Sequence, residues 1–267
     1  MMARAAEENA KRAPVAADGA QAVDRAMALL SMVGRGGAAG IGLMELASGL
    51  ALSKPTARRL LIALIRAGLV DQDSETRRYH LGRQSYALGM MASRRHGLAE
   101  QAGDAVARLA RDSGDTAFVS SRSGDWALCL RRQEGSFPVR SHVLQAGDSH
   151  PLGVGAGSLA MLAAMPDRAA IIARLADFYA PYPGHEAEGL LAACGRADAL
   201  GYAVNPGLVL SSSWGVGVAI LLPDGQVAGA LSIAAPDSRM TPERQIELGA
   251  LLRREAQIVA TRLGALF

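Results

Sequence analysis

Apolar residues recur at Val23, Ala26, Met27, Leu30 and Val33, the spacing of one helix face between Ala20 and Val33. Gly34-Arg35-Gly36-Gly37 ends that run. Leu43, Leu46 and Ala47 predict a second, short helix reaching Gly49, and Gly49-Leu50-Ala51-Leu52 makes a tight connection. Ser53 is placed to cap a third helix, with Pro55 in the first turn where its missing N–H costs nothing. Leu60, Leu61, Leu64 and Ile65 form the buried stripe of that helix. Thr56, Arg59, Ile62, Ala63 and Arg66 face away from it, with Arg58 to one side. Gly68 stops the helix, Leu69-Val70 opens a strand, Asp71 to Thr76 turns, and Arg77 to Leu81 returns. Helix, turn, helix, hairpin is the pattern of a winged helix-turn-helix.

Beyond it, the stretch from Arg83 to Arg95 reads as a helix with Tyr86, Leu88, Met90 and Met91 as its apolar content, suited to packing or a dimer contact. A helix from Leu98 to Ser113 follows. Strands are expected at Thr116 to Ser121, Trp126 to Arg131 and Val139 to Leu144. The segment Pro151 to Ser158 leads into a helix at Leu159 to Ala164, and further helices span Pro166 to Tyr179 and Glu186 to Leu200. Tyr202 to Asn205, Val216 to Leu222 and Gln226 to Ala234 read as strands, the last two joined by a Pro223-Asp224-Gly225 turn. Thr241-Pro242 caps a long helix reaching Leu266. The fold class is α+β. Four parts are expected: a disordered tail 1–19, a winged helix-turn-helix 20–82, a linker helix 83–97 and a second domain 98–267.

Charge separates these parts. Between Ala20 and Gly97 eleven Lys and Arg face five acids, a net +6, whereas the tail is neutral and the remainder carries −3 of the whole-chain +3. A basic domain on an acidic body points to a polyanion, and double-stranded DNA fits the helix-turn-helix. A helix enters the major groove, and residues near its N-terminal end reach base edges. Ser53, Lys54, Thr56, Arg58 and Arg59 are the candidates there. In the wing, Arg77, Arg78 and Tyr79 are placed to grip phosphates or the minor groove; Tyr79 fits equally well as a core residue of the small domain. No apolar run approaches the ~20 residues of a membrane span. Two distant cysteines, Cys129 and Cys194, read as free thiols of a reducing, cytoplasmic compartment.

The stretches Gly42 to Ala47, Leu52 to Leu61 and Ala67 to Val70 resemble the winged helix-turn-helix of the IclR family of bacterial regulators. Pro55 departs from the Ser or Thr usual in that family. The resemblance continues through Gly153 to Ala164, Gly201-Tyr202 and Val227 to Pro236, and implies a GAF-like effector domain in the second half. It implies a homodimer or homotetramer and a pocket lined by residues matching Gly155, Ala156, Ser232 and Ala234, with the position of a frequent pocket cysteine near Gly217. The family's acidic residue falls near Asn205-Pro206 here, and the loop from Gly207 to Trp214 is more apolar. These departures favour a larger or more apolar effector, aromatic with one acid group, over a small hydrophilic keto acid.

Independently, one face of the last strand is Ala228, Ala230, Ser232 and Ala234, all small. Such a face leaves room for a pocket or admits a closely packed helix. Gly155 to Ser158 would present backbone N–H groups to a carboxylate. Ser213, Trp214 and His150 are candidates for hydrogen bonding and stacking, with core packing the alternative for Trp214 and an unliganded loop position that for His150. No nucleophile elbow, zinc motif, P-loop or dinucleotide fingerprint is present, so no catalysis, metal or cofactor is expected. The open rival is a DNA-binding chain whose second domain only dimerises.

Overall fold

A computed structural model describes residues 18–93, 97–138 and 144–265. The chain divides into two compact units, 1–91 and 92–267. The tail before residue 18, residues 94–96 of the expected linker helix, and most of the strand expected from Val139 lie outside the described residues.

In the first unit, α1 (Asp18–Arg35), α2 (Leu43–Gly49) and α3 (Lys54–Arg66) pack around Leu29, Val33, Leu46, Leu61 and Leu64. Strands β1 (Val70–Gln72) and β2 (Tyr79–Leu81) form an antiparallel hairpin, followed by α4 (Arg83–Ser93). The α2–α3 connection needs a left-handed residue and places Ala51 there, at φ 50°. Val23 and Met27, expected on the buried face of α1, are exposed; Leu29 takes the core position.

The second unit is a sheet between two helical layers. Its strands are β3 (Thr116–Ser123), β4 (Trp126–Gln133), β5 (Ser149–Pro151), β6 (Ala203–Leu210), β7 (Ser213–Leu221) and β8 (Val227–Pro236). The order is β5-β4-β3-β8-β7-β6, and every pair is antiparallel. One face carries Ala117, Val119, Val216, Leu231 and Ile233 against α5 (Leu98–Gln101), α6 (Gly103–Ser113) and α10 (Pro242–Gly264). The other covers α7 (Ala156–Ala163), α8 (Arg168–Arg174) and α9 (Ala187–Leu200). Fold class and two-part architecture are those expected. The differences are local. The expected loop after Asn205 is instead strand, because β6 runs on to Leu210 and meets Ser213 through a register shift. The helix expected from Leu98 breaks at Ala102, and the segment before α7 forms the short edge strand β5.

Candidate nucleic-acid interface and pocket

The start of α3 is fixed by two side chains. Ser53 Oγ accepts the Thr56 N–H at 3.4 Å and lies 2.8 Å from Thr56 Oγ1, so both hydroxyls serve the cap. Ala57, Leu61 and Leu64 are buried. Lys54, Arg58, Arg59 and Arg66 are exposed. None of these four cations forms an ion pair among the described residues. At the hairpin tip, Asp73 Oδ1 accepts the N–H groups of Glu75 and Thr76 and the Thr76 hydroxyl. Those bonds hold its carboxyl below the usual range. The Asp73 carbonyl accepts the Arg77 N–H at 3.0 Å, and Arg77 takes a left-handed φ of 58° with its side chain exposed.

Two of the candidate wing residues meet partners within their own unit. Arg78 turns inward: Nε donates to the Ala39 carbonyl at 2.9 Å, and Nη2 donates to the Gly40 carbonyl at 3.0 Å and to Glu45 at 3.3 Å. Its guanidinium ties the hairpin to the segment before α2. Tyr79 is 4 % exposed and belongs to the core of the unit. Strand alternation explains the outcome, since Tyr79 must point inward for β2 to cover the helices.

In the second unit an open cleft of about 480 Å³, counted out to solvent at its mouth, lies beside α7 on the sheet. Gly155, Ala156, Ser213, Trp214, Ser232, Ala234 and His150 all line it. Gly217 does not. A side chain there would strike the carbonyl of Ala156 and the N–H of Gly157, so this glycine lets α7 lie against β7. The small-residue face therefore does both jobs. Gly217 and Ala230 admit the helix, and Gly215, Ser232 and Ala234 open onto the cleft.

Gly155 caps α7 with φ 78° and ψ 159°, a conformation that favours glycine. Ser158 Oγ accepts the Gly153 N–H at 3.0 Å and donates to the Pro151 carbonyl at 3.2 Å, holding this turn in place. The cleft's walls also include Phe118, Ser120, Asn205 and Val209, which sequence reasoning did not single out as ligands. Phe118 and Ser120 alternate with Ala117 and Val119, a visible signal, but only the pairing Phe118↔Ser232 brings them to the site. No Lys, Arg, Asp or Glu lines the cleft among the described residues.

The hydroxyls of Ser120 and Ser232 make no hydrogen bond among the described residues, although Ser120 is 5 % exposed. The Asn205 side-chain oxygen Oδ1 accepts the Leu208 N–H at 3.0 Å. His150 Nδ1 lies 3.3 Å from the Pro151 carbonyl, and burial pushes the imidazole pKa down. The cleft thus joins an apolar, partly aromatic wall to uncharged hydrogen-bonding groups. Cys129 and Cys194 are buried elsewhere, and burial pushes both thiols up to about 11. No group of His, Cys, Asp or Glu suited to a metal occurs among the described residues.

A helix-turn-helix whose third helix presents cations without an ion-pair partner among the described residues is the architecture of a DNA-binding protein. Family models agree over most of the chain. The IclR helix-turn-helix domain matches residues 22–74, and the bacterial transcriptional regulator IclR C-terminal domain matches residues 90–261. The chain belongs to the IclR family of transcriptional regulators. It is similar to the transcriptional repressor AllR of Escherichia coli, with 30 % identity over 254 residues, covering 94 % of this chain and 93 % of that protein. A solved IclR regulator from Silicibacter shares 27 % identity at a TM-score of 0.79, covering 91 % of this chain and 96 % of that one. An IclR homolog from Microbacterium hydrocarbonoxydans, solved with 4-hydroxybenzoate, has the same fold at a TM-score of 0.65 and 21 % identity, covering 91 % and 99 %. Among the described residues no helix is long and apolar enough to cross a membrane.

Proposed function

We propose that this regulator binds one small organic molecule in the cleft beside α7 and that occupancy alters its affinity for operator DNA. The observation that carries the reading is the cleft itself, an apolar, partly aromatic wall without a charged residue among the described residues, onto which Ser120, Ser232 and the glycine-led start of α7 open. A ligand oxygen at this wall would bond the Ser120 and Ser232 hydroxyls, which make no other hydrogen bond among the described residues. An acid group fits the Ser120 and Ser232 hydroxyls and the start of α7, and an aromatic body fits between Phe118, Val209 and Trp214. The Microbacterium homolog's 4-hydroxybenzoate has this chemistry.

On the DNA side, Lys54, Arg58 and Arg59 take base edges and nearby phosphates, while Arg77 takes the backbone or minor groove. Residues 20–82 act as the DNA-binding domain, 83–97 as the linker and 98–267 as the effector domain. The chain works as a homo-oligomer, because one recognition helix reads too few bases for genomic selectivity. The exposed Val23 and Met27 on α1 and Tyr86, Leu88, Met90 and Met91 on α4 suit that association.

Thermal unfolding against a panel of aromatic and aliphatic carboxylates tests the sensor reading. A saturable rise in Tm for one class, lost in Ser120→Val, is expected. No rise across the panel would move the second domain to a purely dimerising role.

A further inference from the structure

Ile62 is 42 % exposed in the middle of α3, on a helix that buries Ala57, Leu61 and Leu64 beneath it. Helical geometry puts Pro55, Arg59, Ile62, Ala63 and Arg66 on the outward face. The fold does not account for an isoleucine there. It covers no core, and a β-branched residue is a poorer helix former than the Lys, Arg or Glu that commonly fill exposed positions. Its neighbours are cations with no carboxylate partner among the described residues. The only major-groove base substituent of unmodified DNA that offers an apolar contact is the thymine 5-methyl group.

We infer that Ile62 reads a thymine methyl in the major groove and so sets sequence preference beside the base contacted by Arg59. This rests on the placement of α3 in the groove proposed above. Arg59 and Ile62 are three residues apart, about 4.5 Å along the helix axis. Base pairs stack at about 3.4 Å, so the thymine falls one to two pairs from the Arg59 contact. The two residues together specify a short guanine-and-thymine element, the arginine by hydrogen bonds to guanine and the isoleucine by shape and desolvation.

The test uses the full-length chain. Duplexes are first selected from a random-sequence pool, and each thymine of the enriched site is then replaced by deoxyuridine, which removes only the methyl. One or two positions per half-site are expected to weaken wild-type binding about three- to fivefold, the effect of burying a single methyl. The same replacements should leave Ile62→Ala unaffected, while Ile62→Val retains most of the discrimination. Because Ile62 covers no core, neither variant should unfold below about the wild-type temperature, and Ile62→Ala should match or slightly exceed it through helix propensity, which thermal unfolding checks. An enriched site with no methyl-dependent position, or equal dependence in Ile62→Ala, overturns the role of Ile62 while leaving α3 in the groove. Failure of any sequence to enrich overturns the groove placement and this inference together.

Discussion

Arg77 and Arg78 stand side by side in the wing and meet different partners. Arg77 projects from a turn that Asp73 braces, whereas Arg78 satisfies two backbone carbonyls of its own unit. Arg78→Ala is therefore expected to destabilise the N-terminal unit by about 0.5–1.5 kcal/mol, the net worth of hydrogen bonds that water partly replaces. Arg59→Ala should leave stability unchanged and weaken specific DNA binding by about 1–3 kcal/mol. Urea unfolding and operator titration of both variants separate the two effects; an unchanged unfolding midpoint for Arg78→Ala would contradict its bracing role. In the pocket wall, His150 is held neutral by burial, with the nearby His185 acting in the same direction and the Pro151 carbonyl and Asp148 opposing it. Its folded pKa is below its ordinary 6.5, so its contribution to stability is present above that pH and is lost as pH falls toward the folded value. Tm of the wild type should fall between pH 7 and pH 5 more steeply than that of His150→Gln; parallel curves would remove this role.

At the scale of elements, the contact of α7 with the sheet depends on the absence of side chains. A Cβ on Gly217 would overlap the backbone at the start of α7, and one on Gly157 would press on Ser232 at 3.1 Å. Gly217→Ala should cost about 1–3 kcal/mol, as overpacking does, and shift the helix that forms one wall of the cleft. Gly195 lies exposed within α9 with nothing within 4 Å of an added Cβ. Gly195→Ala should stabilise by about 0.5–1 kcal/mol through helix propensity alone. The same chemical change then has opposite signs at two glycines, and chemical denaturation of the two variants reads both.

For the whole molecule, sensing requires that ligand and DNA favour the same or opposite states of one equilibrium. A coupling of about 1–3 kcal/mol is typical, which is roughly a five- to 150-fold change in operator affinity. Linkage is reciprocal, so the ligand that raises Tm should bind the operator-bound protein with its Kd changed by the same factor. Equal ligand affinity for free and DNA-bound protein would show the two units to be uncoupled.

The local pattern of residues determined the helix-turn-helix, because Ser53, Pro55, the Leu61–Leu64 stripe and Gly68 act within a few residues of one another and their caps and periods require no partner. It also determined the segregation of positive charge into the first unit, and the glycine-led start of α7. What it left open depended on which distant strand or segment each residue meets. Tyr79 suited a DNA contact and a core position equally until the pleat of β2 turned it into the core, and only the fold brings Arg78 to the Ala39 and Gly40 carbonyls. Gly217 belonged to helix packing rather than to the cleft, because β7 runs directly beneath α7 there. Phe118 and Ser120 joined the cleft only through the pairing of β3 with β8, which brings together residues more than a hundred positions apart. Alternation along a strand shows which residues share a face, but only tertiary pairing decides what that face meets.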